Sequence, residues 1–263
     1  GFAAHPLLHR RGALVVGSAE QADRVREEYE AVRRHTPSLA LLDREAIEAL
    51  VPVLRPEAAE IAFFEPDSAD IDVNELHQGF LRGAKARGVT LHLDTRVHSL
   101  RHEGGEWIVN EHWHAPVVVN AAGAWADTVA ELAGVRTIGL EPRRRSAFTF
   151  AAPEGVETSV WPFVVDIDET FYFKPDAGLL LGSAANADPV HPHDVQPEEY
   201  DIALGIHRIE EATTMTIRRP ARTWAGLRSF VADGDLVGGF APDAPGFFWL
   251  AAQGGYGIQT SAA

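Results

Sequence analysis

The stretch Phe247-Phe-Trp-Leu-Ala-Ala-Gln-Gly-Gly-Tyr-Gly-Ile-Gln-Thr260 decides the fold. An apolar run, Phe247 to Ala252, empties into a glycine-rich turn and then into what reads as a helix beginning at Ile258 to Ala263. Glycine lets backbone approach a ligand, and free N–H groups at a helix start attract anions and polarised oxygens. Strand, glycine turn and helix together mark the C-terminal edge of a strand, where open α/β sheets bind ligands. The turn departs from a full dinucleotide fingerprint: Thr260 stands where Gly255-x-Gly257-x-x needs its third glycine, and no acidic residue follows about 20 positions on. Taken alone, it reads equally well as an ordinary glycine-rich turn.

The same plan recurs upstream. Pro116 to Asn120 reads as a strand running into Ala121-Ala-Gly123 and a helical stretch from Ala124 to Ala133. Before it, Asp72 and Glu75 have capping-box spacing, and Val73, Leu76, Phe80 and Ala84 form an apolar helical face that ends at Gly88. Val89, Leu91 and Leu93 then alternate with polar residues, which predicts a strand directly after the helix, and Trp107 to Val109 predicts another. Residues 67–134 and the chain from 224 onward therefore read as α/β.

Elsewhere β-structure and amphipathic helices alternate. Ala22, Val25, Tyr29 and Val32 predict a surface helix within Ala19 to Arg34, Asp43 to Leu50 predicts a shorter one, and Val51 to Asp67 reads as loop, strand, loop. Ser146 to Ser183 is rich in β-branched and aromatic residues, with Phe171 and Phe173 alternating with Tyr172 and Lys174 ahead of a turn at Pro175 to Gly178. That pattern predicts an antiparallel sheet. Ile202, Ile206 and Ile209 share a face of a helix over Pro197 to Thr213, and Asp233-Gly234 is a hairpin signal.

Composition narrows the function classes. The 263 residues carry 23 basic and 38 acidic side chains, a formal net charge of -15, which argues against nucleic acid or an anionic membrane surface as partner. No apolar run is long enough to cross a bilayer. The chain has no cysteine, so a disulfide scaffold, a thiol nucleophile and a cysteinyl flavin bond are excluded, and a reducing, cytoplasmic compartment is the default. Neither a G-x-S-x-G elbow nor a Walker A sequence occurs. The first residue is Gly1 and the single methionine is Met215, so the expectation is an internal piece of a longer polypeptide.

Several residues carry possible chemistry. Arg228 interrupts the apolar Trp224-Ala-Gly-Leu-Arg-Ser-Phe230 and needs an anionic partner if buried, either a protein carboxylate or a ligand. Arg143, Arg144 and Arg145 form a basic run in which one inward-pointing member would be a second carboxylate or carbonyl binder. Tyr172 faces away from Phe171 and Phe173, and its hydroxyl reaches either a site or solvent. His191-Pro-His193-Asp194 and His112-Trp-His114 lack the spacing of a helical zinc motif and read as solvated loops, so no metal is expected.

Three stretches together resemble the FAD-dependent D-amino-acid oxidase and glycine oxidase family: Val118-Val-Asn-Ala-Ala-Gly-Ala-Trp-Ala-Asp127, Trp224 to Val231, and Phe247 to Thr260. Within it the bacterial D-arginine dehydrogenase branch is similar over nearly the whole chain. That similarity includes His5-Pro-Leu-Leu8, Ala69-Asp-Ile-Asp72, Leu76-His-Gln-Gly79, Arg144 to Phe148, Lys174 to Gly178, Ala185 to Pro189 and Glu210 to Thr214.

The resemblance implies a discontinuous α/β FAD-binding domain (1–8, 67–134 and 224–263) interleaved with an antiparallel-sheet substrate domain (9–66 and 135–223). It implies that Val97 touches the adenine side of FAD, while Gly226, Leu227, Arg228 and Ser229, with Gly255, Tyr256, Gly257, Ile258 and Gln259, line the flavin. Arg228 would hold the substrate carboxylate, Tyr172 would donate to it, Arg145 would lie over the substrate, and the Gly255 carbonyl would accept from its amine. The implied reaction is hydride loss from a D-amino acid to flavin, giving a 2-oxo acid and ammonia after hydrolysis. The electrons would go to a separate acceptor such as a quinone.

Two departures stand out. The family's opening β-α-β unit with its G-x-G-x-x-G, and the segment with its active-site histidine and tyrosine, have no counterpart here. The glutamate that binds the guanidinium in the D-arginine enzyme is matched by Ala13, a loss on the order of 3 kcal/mol for a desolvated cation. The expectation is a preference shifted toward apolar side chains. A glycine or sarcosine type of amine oxidase, and a truncated, non-catalytic binding module, are the competing expectations.

Overall fold

The computed structural model describes residues 2–262. The first third of the chain runs β1 (Leu8–Arg10), β2 (Ala13–Gly17), α1 (Ala22–Val32), β3 (Ala40–Leu42), α2 (Arg44–Leu50), β4 (Ile61–Glu65), β5 (Ala69–Ile71) and α3 (Val73–Ala86). Next come β6 (Leu100–Glu103), β7 (Glu106–Val109), β8 (Trp113–Ala115), β9 (Val118–Asn120), a 3-10 turn at Gly123–Trp125, α4 (Ala126–Leu132) and β10 (Glu141–Phe150). The last part comprises β11 (Phe163–Asp166), β12 (Tyr172–Asp176), β13 (Leu179–Ser183), β14 (Asp188–Pro189), α5 (Glu199–Ala212), β15 (Arg222–Phe230), β16 (Val237–Phe240) and β17 (Phe247–Ala251).

Nine strands form one large sheet in the order β14-β10-β13-β12-β11-β2-β4-β3, with β15 along the free side of β10. It is antiparallel, as expected for residues 146–183, except where β2 lies parallel to β11. Alternation divides its two faces. Leu14, Val16, Phe148, Phe150, Val164, Phe173 and Leu180 point to one side and form the largest core with Ile47 of α2 and Ile202 and Ile209 of α5. The other face carries Ala13, Phe163, Tyr172, Lys174, Leu181 and Arg145, and is only partly covered. Over the neighbouring part of that face, Val25 of α1 packs with Ile61 and Phe63.

Helix α5 approaches the sheet at Gly205, where a β-carbon would lie 2.8 Å from both the Ala184 nitrogen and a Phe148 ring carbon. Gly205→Ala is therefore expected to lower stability by about 1–3 kcal/mol through overpacking, despite alanine's better helix propensity. A thermal melt showing an unchanged or raised Tm would contradict this close approach.

The α/β part is built around β17, which pairs parallel with β9 and antiparallel with β16. Its core joins Phe247 and Trp249 to Ala126 and Ala130 of α4 and to Trp107 of β7. Two polar residues of the Val118–Asp127 stretch fasten the crossover. Buried Asn120 donates its side-chain amide to the Ala126 carbonyl, and the Asp127 carboxylate accepts from the amides of Ile138 and Leu140.

Five local expectations are corrected. Residues 89–93 form no strand; Val89, Leu91 and Leu93 are exposed, and no described strand offers them a ladder. Asp233-Gly234 is a turn but not a hairpin, because it joins β15 of the large sheet to β16 of the small one. The apolar face of α3 joins none of the three described cores: Val73 and Phe80 are exposed, and the Phe80 ring packs edge-on with Phe2. The Asp72 cap is made, its carboxylate accepting from the Glu75 amide, but Glu75 does not reach back and binds the Ala4 amide and Arg82 instead. At the other end, residues 257–262 are turns, with a helix-like bond from the Thr260 amide to the Tyr256 carbonyl, and Ala263 lies outside the described residues. No helix among the described residues is long and apolar enough to cross a membrane.

Candidate active site

The open face of the large sheet meets the glycine turn of the α/β part. On β10 the alternation splits the arginine run. Arg144 turns to the α5 face and is buried against Asp201, with Nε 2.9 Å from its carboxylate, while Arg143 and Arg145 turn to the open face. Strand β15 pairs with β10 over its whole length, with Arg228 opposite Arg143 and Gly226 opposite Arg145, so Arg228 shares that face. At β12 the core claims Phe173 and, just ahead of the strand, Phe171, which leaves Tyr172 and Lys174 outward.

The glycine turn is tied to β15. The Gly254 amide donates to the Ser229 carbonyl at 3.0 Å, and Gly254 has φ +55, with its would-be β-carbon 2.8 Å from the Phe230 ring. A β-carbon on Gly255 would lie 3.1 Å from a terminal nitrogen of Arg228, so the guanidinium lies along the turn. Arg143 stacks its guanidinium over the Phe230 ring, 4.9 Å from the ring centroid.

Five of the sequence-derived residues, Arg145, Tyr172, Arg228, Gly255 and Tyr256, line one cavity of about 510 Å³. Phe163, Val165, Leu181 and Phe230 give it apolar walls, and exposed Glu169 stands at its rim. Gly226, Leu227 and Ser229 lie beside it on β15, and Gly257, Ile258 and Gln259 continue the turn. Val97 is elsewhere, in a cleft with Arg96, Ala122, Trp125 and Leu132. Ala13 lines a separate cleft of about 310 Å³ that shares Phe163 and Lys174 with the cavity.

Two guanidiniums facing one cavity give it positive potential in a protein of net charge -15. Arg143 and Arg144 have carboxylate partners, Glu141 and Asp201, whereas Arg228 has none among the described residues. Arg145 donates through Nε to the Asn186 carbonyl at 2.6 Å. Burial and, next, the like charge of Arg228 hold the Arg145 guanidinium below the usual arginine range, with Tyr172 and Glu169 pulling the other way. An arginine with its planar fork unpaired beside a second cation is suited to a small carboxylate.

Sequence reasoning missed the supports. The Asn186 side chain accepts from the Ser146 amide and donates to Asp201 while its carbonyl holds Arg145, so one loop residue fixes the arginine's strand and its head. Lys174 binds Asp70 at 2.6 Å, and Arg11 takes the other Asp70 oxygen at 2.8 Å. Burial raises the Asp70 pKa, but these two cations outweigh it and hold the carboxyl below the usual range. The signal for Lys174 was its place two residues after Tyr172 on an alternating strand. The histidine pairs form no cluster, and no group of three or more potential metal ligands occurs among the described residues.

The fold and cleft define a mixed α/β protein in which a glycine turn at a sheet edge closes over a cationic cavity. The chain belongs to the FAD dependent oxidoreductase (DAO) family, whose model matches residues 2–263. Among curated proteins it is 23% identical to mouse FAD-dependent oxidoreductase domain-containing protein 1, covering 94% of this chain and 59% of that protein. The chain thus spans about three-fifths of that relative's length. Among solved structures, glycine oxidase from Geobacillus kaustophilus matches with a TM-score of 0.82 at 21% identity, over 97% of this chain and 68% of that one. Dithionite-reduced L-α-glycerophosphate oxidase from Mycoplasma pneumoniae with FAD bound matches with a TM-score of 0.83 at 18% identity, over 96% of this chain and 70% of that one. At these identities the structures share the fold.

The family's cofactor is FAD, and one feature of the residues present is compatible with it. Gly226, midway along β15, has nothing within 4 Å of the place a β-carbon would take, so the chain's own packing does not require glycine there. Bare backbone at Gly226, on the strand that carries the Ser229–Gly254 junction, would leave room for a flat ring.

Proposed function

We propose that the protein carries out oxidative deamination of D-amino acids, as a dehydrogenase similar to the D-arginine enzymes, with a flavin part formed by 1–8, 67–134 and 224–263 and a substrate part formed by 9–66 and 135–223. Strand β15, paired along β10, joins the two. The observation that carries this reading is the unpartnered Arg228 lying along the Gly255 turn beside Arg145 and Tyr172. Arg228 grips the substrate carboxylate with its fork, the Tyr172 hydroxyl donates to the same group, and Arg145 covers the bound molecule. The Gly255 carbonyl accepts from the neutral amine, which fixes the Cα–H direction. FAD supplies the hydride acceptor, and the imino acid released hydrolyses to a 2-oxo acid and ammonia.

The test is the visible spectrum of the protein with FAD, recorded anaerobically with paired D- and L-amino acids. Flavin bands that bleach with the D-series alone support the proposal, whereas bleaching with L-substrates or with none overturns it. Oxygen uptake then separates an amine oxidase from a dehydrogenase that passes electrons to a quinone-like dye. Ala13 gives a guanidinium side chain no carboxylate, so D-arginine is expected to be no better than D-leucine in kcat/KM. A hundredfold advantage for D-arginine would sink this expectation.

A further inference from the structure

Resting on that amino-acid reading, we infer that the cavity lined by Arg228 also selects an acidic side chain: the preferred substrate is a four- or five-carbon dicarboxylic amino acid whose distal carboxylate docks on Lys174. Lys174 lines both the main cavity and the cleft holding Ala13, and so stands at their junction. It is two residues from Tyr172 on the same face of β12, a separation of about 7 Å. A short dicarboxylic amino acid whose α-carboxylate accepts from the Tyr172 hydroxyl reaches Lys174 across such a span with its second carboxylate. Ala13, Phe163 and Lys174 form one cross-strand row, so alanine leaves room beside Lys174 and adds no charge.

The charge balance favours an anion. An ammonium has three donors, and Lys174 commits one to Asp70. Asp70 is shared: its second oxygen binds Arg11, which the carbonyls of Ser159 and Trp161 also hold. The cluster is two cations on one carboxylate, each side chain only 20–25% exposed, so its net charge is positive and water screens it incompletely. A second carboxylate neutralises it. A guanidinium meets two cations and an Asp70 whose oxygens are both occupied, and an apolar side chain leaves the spare donors of Lys174 facing hydrocarbon. The apolar preference inferred from Ala13 alone takes no account of this neighbour. Glu169, the carboxylate that lines the main cavity, is exposed.

The test uses unreactive ligands and needs no turnover. Binding of glutarate and of valerate, which match in carbon number and differ by one carboxylate, is measured by tryptophan fluorescence or calorimetry on the full protein. Glutarate is expected to bind about tenfold more tightly. The preference should vanish in Lys174→Met and survive in Lys174→Arg, which separates loss of the cation from loss of the fold. Equal affinities in the wild type, or a glutarate preference that persists in Lys174→Met, overturn the proposal. If neither anion binds, the carboxylate site itself fails and both readings fall. If Arg228→Met weakens both ligands alike while their ratio stays at tenfold, Arg228 holds the shared carboxylate and Lys174 the additional one.

Discussion

Arg228→Met is expected to lower kcat/KM for the best D-amino acid by about a thousandfold while leaving the melting temperature unchanged or slightly raised. The two halves of this result have different causes. A carboxylate that loses its bidentate guanidinium in a partly desolvated cavity loses about 4 kcal/mol, a factor of about a thousand in rate constant. In the free protein, however, Arg228 has no hydrogen-bond or ion-pair partner among the described residues, and its charge opposes that of Arg145. Removing it therefore costs the fold little and relieves repulsion. Arg228→Lys should fall between the two, since a point charge keeps attraction and loses the fork. A variant whose activity and Tm fell together would show that Arg228 is structural.

Arg144→Met, one residue from Arg145, is expected to do the reverse. Its guanidinium is buried against Asp201, with Glu198 and Asp188 beside it, and Asp201 also accepts from the Ser146 hydroxyl and the Asn186 amide. Burial alone would favour the neutral arginine, but these carboxylates hold its pKa above the usual range. Truncation leaves Asp201 with an uncompensated buried charge, and the expected loss is about 3–5 kcal/mol of unfolding free energy. Urea titration should show a lower midpoint at unchanged slope. A loss below about 1 kcal/mol would mean that the ion pair is screened like a surface pair. Arg144→Met combined with Asp201→Leu should recover much of the stability, because an apolar pair removes both charges.

The contrast between these neighbours was only half legible in the sequence. Three consecutive arginines ahead of a β pattern show that their side chains must alternate, but not which face is buried. That depends on α5, some 55 residues later, bringing Asp201 to one side. Helices α1, α2 and α5, the cap at Asp72 and the antiparallel run of β10 to β13 were readable because their signals are local. Residues 89–93 misled for the same reason: alternation describes a strand's faces, whereas a strand also needs a pairing partner, and none of the described residues supplies one. Asp233-Gly234 misled because turn chemistry reports a reversal and not whether the flanking strands pair with each other. At the candidate site, Arg228, Arg145 and Tyr172 stood out in the sequence pattern and took their expected roles from the resemblance, whereas Lys174 did not stand out. Its importance comes from Asp70 and Arg11, more than a hundred residues away along the chain.

The large sheet can be viewed as a board with a fixed back and an exchangeable front. Phe148, Phe173, Leu180 and Leu14 on its back belong to the largest core, while Tyr172, Lys174, Phe163, Leu181 and Ala13 on its front face the clefts. Substitution at a front position leaves the inventory of the core intact, so such a scaffold can drift from one substrate to another in single steps without solving its packing again. Insertions have no such freedom. One extra residue ahead of Tyr172 would turn the aromatic back of β12 to the front and send the tyrosine and lysine into hydrocarbon, undoing the cavity lining and the core in the same event.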